Sequence, residues 1–215
     1  MIYRILAVAA AGLLALSADP AWARPITYTG GQVLVTEAQA DQWQARYTYS
    51  HSFRHSTSVG YLRMTDLRET GELDVAYLRV AGLAGRWNRP GSQGNLFFYG
   101  GLGHARTDIG NGASGHVGFQ ADWETRRIYT AAMSELHDGS GWRHRNDTLA
   151  LGIAPFEHDF DRTAVWLVGK GMRTTGMNDS GRKGALVLRL FNPSWWLEAG
   201  VDTNGKPLAF FMINL

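Results

Sequence analysis

The sequence contains no cysteine. This absence excludes a disulfide framework, a thiolate metal centre and a cysteine nucleophile. Proline is also scarce, with 6 residues in 215, whereas glycine is abundant with 26 and aromatic residues account for 12% of the chain. β-strands that cross a membrane tolerate many glycines and aromatics together with few prolines.

Lysine is nearly absent: of the 21 lysine and arginine residues, all but three are arginines. The lysines are Lys170, Lys183 and Lys206. The net charge is only +2, and no basic cluster stands apart from balancing acids, which argues against a nucleic-acid partner. The planar guanidinium suits pairing with carboxylates or phosphates, so the arginine bias favours lipid phosphates or a polar interior. A compositional bias of the genome explains it equally well.

Long apolar runs are missing except at the start of the chain. Arg4 precedes an apolar run over residues 5–16, and Ala21-Trp22-Ala23 offers a cleavage site. This pattern predicts a secretory signal peptide over residues 1–23, with a buried N-terminal helix as the alternative. No other segment approaches eighteen consecutive apolar residues, so no further α-helical span is predicted.

The remaining residues, 24–215, read as one all-β domain. Alternating polar and apolar residues are interrupted repeatedly by turn residues, and no helical stripe or repeat interrupts the pattern. The alternation predicts about twelve antiparallel strands, and eight or ten strands with longer loops remain possible. An even number places both ends of the domain on the same side of a closed barrel. The predicted strands cover residues 32–36, 41–51, 57–64, 72–85, 95–104, 116–123, 128–136, 148–154, 163–172, 185–191, 195–202 and 207–215.

The last two predicted strands form a hairpin around Asn204-Gly205, a pair that adopts the left-handed backbone of a tight turn. In the final strand Ala209, Phe211 and Ile213 share one face, and the intervening residues share the other. This strand resembles the terminal strand of small Gram-negative outer-membrane β-barrel proteins, although the last residue is Leu215 and not an aromatic. The resemblance implies a closed transmembrane β-barrel in the outer membrane, contact with lipid and lipopolysaccharide, and delivery to the barrel-assembly machinery through the C-terminal strand.

Aromatic residues near predicted strand ends agree with the belts of rings that membrane barrels place at the lipid–water interface. They are Trp43, Tyr77, Trp87, Trp123, Trp142, Trp195 and Trp196. A soluble periplasmic barrel that binds an apolar ligand is the alternative. The two differ in which face of each strand is apolar, since this face points to lipid in a membrane barrel and inward in a soluble one.

The sequence favours a non-enzyme without excluding catalysis. Two barrel enzymes of the outer membrane, a phospholipase and a lipid A deacylase, use a His-x-Ser element, and none of the seven histidines has that spacing. His51-Ser52 and His55-Ser56 are adjacent pairs at a predicted turn. Isolated pairs such as His137-Asp138, or His158-Asp159 with Asp161, lack the further ligands of a closed zinc site. No metal or cofactor is predicted.

The face opposite the lipid supplies the candidate site. If Trp43, Phe119, Leu188 and Leu197 point outward, a set of polar residues points into the lumen: Arg46, His116, Gln120, Asp122, Arg189 and Glu198. Arg189 and Glu198 lie on strands joined by a short turn and are within pairing reach. Such residues either bind or pass a small solute or form a structural network. A lipid- or lipopolysaccharide-modifying enzyme is the alternative.

Overall fold

Alternating side chains and tight turns fold the chain into a closed antiparallel β-barrel. The computed structural model describes residues 26–65, 71–108, 110–157, 162–176 and 181–215, so the predicted signal peptide lies outside the described residues. The described residues form twelve strands. These are Gln32–Ala38 (β1), Gln42–Ser50 (β2), His55–Thr65 (β3), Glu72–Arg89 (β4), Ser92–Thr107 (β5), Gly110–Thr125 (β6), Ile128–Gly139 (β7), Trp142–Ile153 (β8), Ala164–Gly176 (β9), Gly181–Asn192 (β10), Trp195–Asp202 (β11) and Pro207–Asn214 (β12).

The sheet closes because the first strand pairs with the last. Each strand pairs with its neighbour in sequence, and β1 pairs with β12 from Val33 opposite Asn214 to Ala38 opposite Ala209. Closure leaves no unpaired sheet edge. We call the end where β1 begins and β12 finishes the terminal end, and the opposite end the far end. Short turns such as 90–91, 126–127, 140–141 and 193–194 join the strands.

The C-terminal hairpin has the predicted bounds except that β12 ends at Asn214, one residue before the predicted end. Gly205 adopts φ 73°, and the carboxylate of Asp202 accepts hydrogen bonds from the backbone N–H groups of Asn204 (2.8 Å) and Lys206 (2.9 Å). A side chain that caps the turn in this way fixes the register of the two strands. The predicted division of the final strand into two faces is confirmed, since Met212 and Asn214 are buried and the alternate residues are not.

Several strands are longer than the sequence predicts. The glycine-rich segment 108–114 lies between two predicted strands, but β6 already begins at Gly110. Strands β9 and β10 also extend into the gap between the strands predicted over 163–172 and 185–191. Strands β4 and β5 likewise extend to Arg89 and Ser92 through the predicted turn. Ladder hydrogen bonds join backbone groups, so polar or glycine-rich residues continue a strand when a neighbour is in register.

The two faces of the barrel have opposite character. Large apolar side chains on the outer face are exposed, including Leu78 (66%) and Leu102 (77%), which lie opposite each other on β4 and β5. The four residues predicted to point outward, Trp43, Phe119, Leu188 and Leu197, are exposed as well. The inner face carries buried charged and polar residues, among them Arg79, Arg189 and Glu198. The outside of this barrel is therefore apolar, whereas the inside holds the buried charged and polar side chains together with apolar clusters.

The aromatic residues do not all lie on the outer face. Trp43, Trp87 and Trp123 are exposed on the outside, whereas Tyr77, Trp142 and Trp196 face the interior. An inward ring needs space, and glycine supplies it: a Cβ atom at Gly60 would overlap the ring of Tyr77 on the neighbouring strand. The expectation of interfacial rings was therefore wrong for Tyr77 and Trp142, which face the interior.

Apolar side chains fill both ends of the interior. At the far end Leu62, Met64, Leu73, Val75 and Trp142 pack together, with Tyr77 and Ala105. Near the terminal end Val33, Val35 and Met212 pack with rings from β10, β11 and β12. No helix in the described part of the chain is long and apolar enough to span a membrane.

Candidate functional site

One charged cluster on the inner wall is built around Glu198; we call it the Glu198 cluster. Arg189 on β10 lies directly opposite Glu198 on β11, and its Nε donates to Glu198 Oε1 at 2.7 Å. The same oxygen accepts a hydrogen bond from the indole Nε1 of Trp196 at 3.1 Å, and Lys170 Nζ donates to the other oxygen. Arg189 and Glu198 are only 5% and 3% exposed, so the carboxylate is held by three donors away from bulk water.

Aromatic rings surround the Arg189 guanidinium. Its Cζ lies 4.0 Å from the ring centroid of Tyr129 and 4.3 Å from that of Trp196. Cation–π contacts of this kind strengthen when the cation is desolvated. The side chain is therefore clamped in position by two rings and one carboxylate, which makes the Glu198 cluster a rigid part of the inner wall.

A second cluster lies on strands β4 to β7; we call it the Glu135 cluster. Glu135 forms an ion pair with Arg79, and its carboxylate also contacts the Nε2 of His137 at 2.8 Å and accepts from the Tyr99 hydroxyl at 3.2 Å. The Cζ of Arg79 lies 4.4 Å from the Tyr99 ring centroid. Arg79 also donates from Nε to His116 Nε2 at 2.9 Å.

The contact with Arg79 fixes the protonation of His116. A guanidinium has only donors, so His116 Nε2 must accept and carries no proton. His116 and His137 lie directly opposite each other on β6 and β7, with their rings stacked at 5.0 Å, and His144 continues the row on β8. Three buried imidazoles therefore form a ladder along the inner wall.

A third group of polar residues lies nearer the terminal end. Asp122 accepts a hydrogen bond from the Asn95 amide at 2.7 Å and another from Gln120 at 3.3 Å. The carbonyl oxygen of Asn95 accepts in turn from Arg86 Nε at 2.8 Å. The neutral amide of Asn95 thus connects the Asp122 carboxylate to the Arg86 guanidinium, and this chain of hydrogen bonds crosses β4, β5 and β6.

Arg46 on β2 points into the lumen between these groups. It lies opposite Val35 and Gly60 on its two neighbouring strands and is half-buried. Its charge is close enough to influence the carboxylate of Glu135 and the hydroxyl of Tyr99. Arg46 therefore contributes positive charge to the lumen beside the Glu135 cluster.

A polar cavity of about 110 Å³ lies in the lumen beside the Glu135 cluster; we call it the vestibule. Its lining includes Gln39 and Gln42 near the far end and Tyr99, Glu135 and His137 deeper in the barrel. At roughly 30 Å³ per water molecule, this space holds a few waters or one small polar solute.

The lumen is narrow at this level. Asn146 on β8 donates from Nδ2 to Gln42 Oε1 on β2 at 3.4 Å, a contact between strands on different sides of the barrel. Thr174 on β9 donates to the Asn146 amide oxygen at 3.0 Å. Side chains that meet across the interior restrict any path along the barrel axis to small species.

The structure places all six residues predicted from the sequence on the inner face. Arg189 and Glu198 form an ion pair, Gln120 and Asp122 are hydrogen-bonded, and His116 belongs to the Glu135 cluster. Arg46 lies beside that cluster without a direct bond to it. Whether any of the six contacts a solute stays a prediction.

Sequence reasoning missed most of the Glu135 cluster. Glu135 and His137 occupy alternate positions of β7, the pattern of two side chains on one face, but the predicted strand ended at residue 136. Arg79 lies within a predicted strand and was not selected, because nothing local indicates its partner 56 residues away. The alternation of Glu135 and His137 along β7 was the pattern in the sequence that could have predicted these residues on the inner face.

The histidine–serine pairs considered as catalytic elements have a structural role. Ser52 Oγ accepts hydrogen bonds from the backbone N–H groups of Arg54 and His55, both at 3.1 Å, and so caps the turn between β2 and β3. His51 contacts the Thr57 hydroxyl at 2.8 Å. His158 to Asp161 lie outside the described residues. Within the described ranges, no three His, Cys, Asp or Glu side chains are grouped as metal ligands.

The chain matches no protein-family model, no curated protein and no solved structure.

Proposed function

We propose that this protein is an outer-membrane β-barrel whose polar interior binds, or slowly passes, a small polar solute. The observation that carries the proposal is the polarity of the two faces. Exposed leucine, valine and aromatic side chains cover the outside, and ion pairs are buried inside. A water-soluble barrel has the reverse arrangement, whereas an apolar outer band matches a bilayer.

The closed sheet supports the same proposal. A bilayer core cannot satisfy unpaired backbone groups, so a sheet within it must close on itself. Strands β4 to β10 contain 12 to 18 residues each, which exceeds the roughly 9–11 residues needed for a tilted crossing. Both described chain ends lie at the terminal end, as in bacterial barrels with an even number of strands.

The narrow interior supports the proposal of a small solute over bulk flow. The vestibule of about 110 Å³ ends at the Glu135 cluster, and the Gln42–Asn146 contact crosses the lumen beside it. Amides, hydroxyls and charges of both signs line the vestibule, and such groups recognise polar molecules by hydrogen bonding. A wide aqueous channel of the kind found in 16- to 18-stranded porins needs an open lumen.

The first test concerns location. The full-length chain is expressed in a Gram-negative host, the membranes are fractionated, and the outer-membrane fraction is run on SDS gels with and without boiling. We expect a band in that fraction that migrates differently when unboiled, because a closed barrel resists SDS until it is heated. Release of a soluble protein by osmotic shock overturns the membrane proposal.

The second test concerns the lumen. In planar bilayers we expect the wild-type barrel to show a unit conductance far below that of a porin. Replacing both Gln42 and Asn146 by alanine removes the contact across the lumen and should raise the conductance. Gln32→Ala is the matched control, because Gln32 bonds Tyr47 on the outer face. Porin-sized conductance in the wild type contradicts the small-solute proposal.

A further inference from the structure

A groove crosses the outer face of strands β8 to β11. It is an open depression of about 660 Å³, and its floor is the bare backbone of Gly169, Gly171 and Gly184. Leu149, Leu151, Leu186 and Val201 form its walls, with Thr203 at one end. The volume falls within the roughly 300–1,000 Å³ of ligand pockets, and the walls are apolar. We call this depression the glycine groove.

Two arginines border the glycine groove towards the far end. Arg173 lies two residues beyond Gly171 on β9, and Arg182 lies two residues before Gly184 on β10, so both belong to the outer face. Two residues of a strand correspond to about 7 Å, which places the arginines on the next outward row. They are directly opposite each other in the ladder, and both are exposed.

Like charges directly opposite on neighbouring strands destabilise a sheet. Among the described residues one carboxylate shares this row, Asp147 on β8 opposite Arg173, and Arg145 already pairs with it at 2.9 Å. Three arginines therefore face one aspartate at the edge of the groove. An additional anion between Arg173 and Arg182 would relieve this repulsion.

We propose that the glycine groove and its arginine pair form a binding site for an anionic membrane lipid. The lipid phosphate binds between Arg173 and Arg182, since guanidinium groups pair with phosphate in bidentate geometry. One acyl chain lies in the groove against Leu149, Leu151 and Leu186. Charge complementarity favours this occupant over a second copy of the chain, because a two-fold contact at this point would oppose arginine to arginine.

This inference rests on the proposed membrane location, and its test is separate. Barrels purified in neutral detergent, with folding verified by the shift of the unboiled gel band, are titrated with phosphatidylglycerol or phosphatidylcholine of the same acyl chains. Native mass spectrometry then counts bound lipid. We expect phosphatidylglycerol to bind about tenfold more tightly. Both lipids carry a phosphate, but only phosphatidylglycerol keeps a net negative charge, because the choline cation balances the phosphate of phosphatidylcholine and is repelled by the two arginines.

Variants separate the two halves of the site. Replacing Arg173 and Arg182 together by glutamine should abolish the preference for phosphatidylglycerol. Gly171→Leu should reduce the binding of both lipids, because a Cβ at Gly171 meets no atom within 4 Å and the added side chain fills the groove without moving the backbone. Arg63→Gln is the matched control, an arginine on the outer face of β3 that pairs with Glu72.

The outcomes are distinct. Equal wild-type binding of the two lipids, or an unchanged preference in the arginine variant, overturns the lipid site while leaving the outer-membrane proposal standing. Competition by inorganic phosphate at lipid-like concentrations shows a site for the free ion and also overturns it. If the arginine variant fails to fold, Arg182→Gln and Gly171→Leu provide the same comparison. Failure of the fractionation test overturns the membrane location independently.

Discussion

Replacing Glu198 by glutamine tests the Glu198 cluster. The substitution keeps the size of the side chain and removes the charge that balances Arg189 and Lys170. Lys170 is partly exposed and can turn towards the lumen, whereas Arg189 is held between Tyr129 and Trp196 and stays buried. The loss in unfolding free energy therefore comes mainly from the Arg189 guanidinium, which stays buried without a counter-charge.

Breaking a buried ion pair from one side costs about 3–5 kcal/mol. Glutamine retains a carbonyl oxygen for Arg189 and Trp196, so we expect the lower value, a loss of about 3 kcal/mol in the free energy of unfolding. Removing Arg189 as well, with Arg189→Met in the same chain, should return part of that loss. The double-mutant cycle should give a coupling of about 2 kcal/mol.

The assay is reversible urea unfolding in lipid vesicles, followed by tryptophan fluorescence. Glu37→Gln is the matched control: Glu37 is also on the inner face, but its oxygens accept hydrogen bonds from the neutral amides of Gln39 and Gln44. We expect this variant to lose less than about 1 kcal/mol. Losses of similar size in both variants, or additive effects of Glu198→Gln and Arg189→Met, refute the reasoning.

Three further predictions concern other parts of the barrel. Gly60→Ala places a methyl group against the Tyr77 ring and should lower the unfolding free energy by about 1–3 kcal/mol in the same urea assay. Gly82→Ala is the control and should have little effect, because a Cβ at Gly82 meets no atom within 4 Å. Leu102→Arg, at a position 77% exposed on the outer face, should cost about 2–4 kcal/mol in vesicles if the site faces lipid; a change below about 0.5 kcal/mol indicates a water-facing surface. Arg46→Glu reverses a charge in the lumen and should shift the reversal potential under a salt gradient towards cation selectivity; an unchanged potential shows that permeating ions do not pass Arg46.

Sequence reasoning succeeded where local rules decide the structure. The Asn204-Gly205 turn fixes the last hairpin, and alternation assigned the faces of β12 correctly. It failed at strand ends such as 110–115, because the pairing of a polar or glycine-rich segment depends on the register of its neighbour and not on its own residues.

The same distinction applies to the candidate site. Arg189 and Glu198 are nine residues apart on strands joined by a short turn, so their register follows from the local chain. Arg79 and Glu135 meet on strands separated by β5 and β6, and their contact depends on three successive registers. An error of one residue in any of them would turn one partner to the outer face.

The pairing of β1 with β12 has a consequence for the order of folding. Every other strand pair is made by neighbours in sequence, but this pair joins residues 33–38 to 209–214 and encloses nearly the whole described chain. Contacts of such long sequence separation form slowly, because the loop-closure entropy is lost before the contact forms. Closure of the barrel should therefore be the last and slowest step of folding. A chain that ends before β12 should remain an open sheet, and its two unpaired edges can pair with strands of other chains.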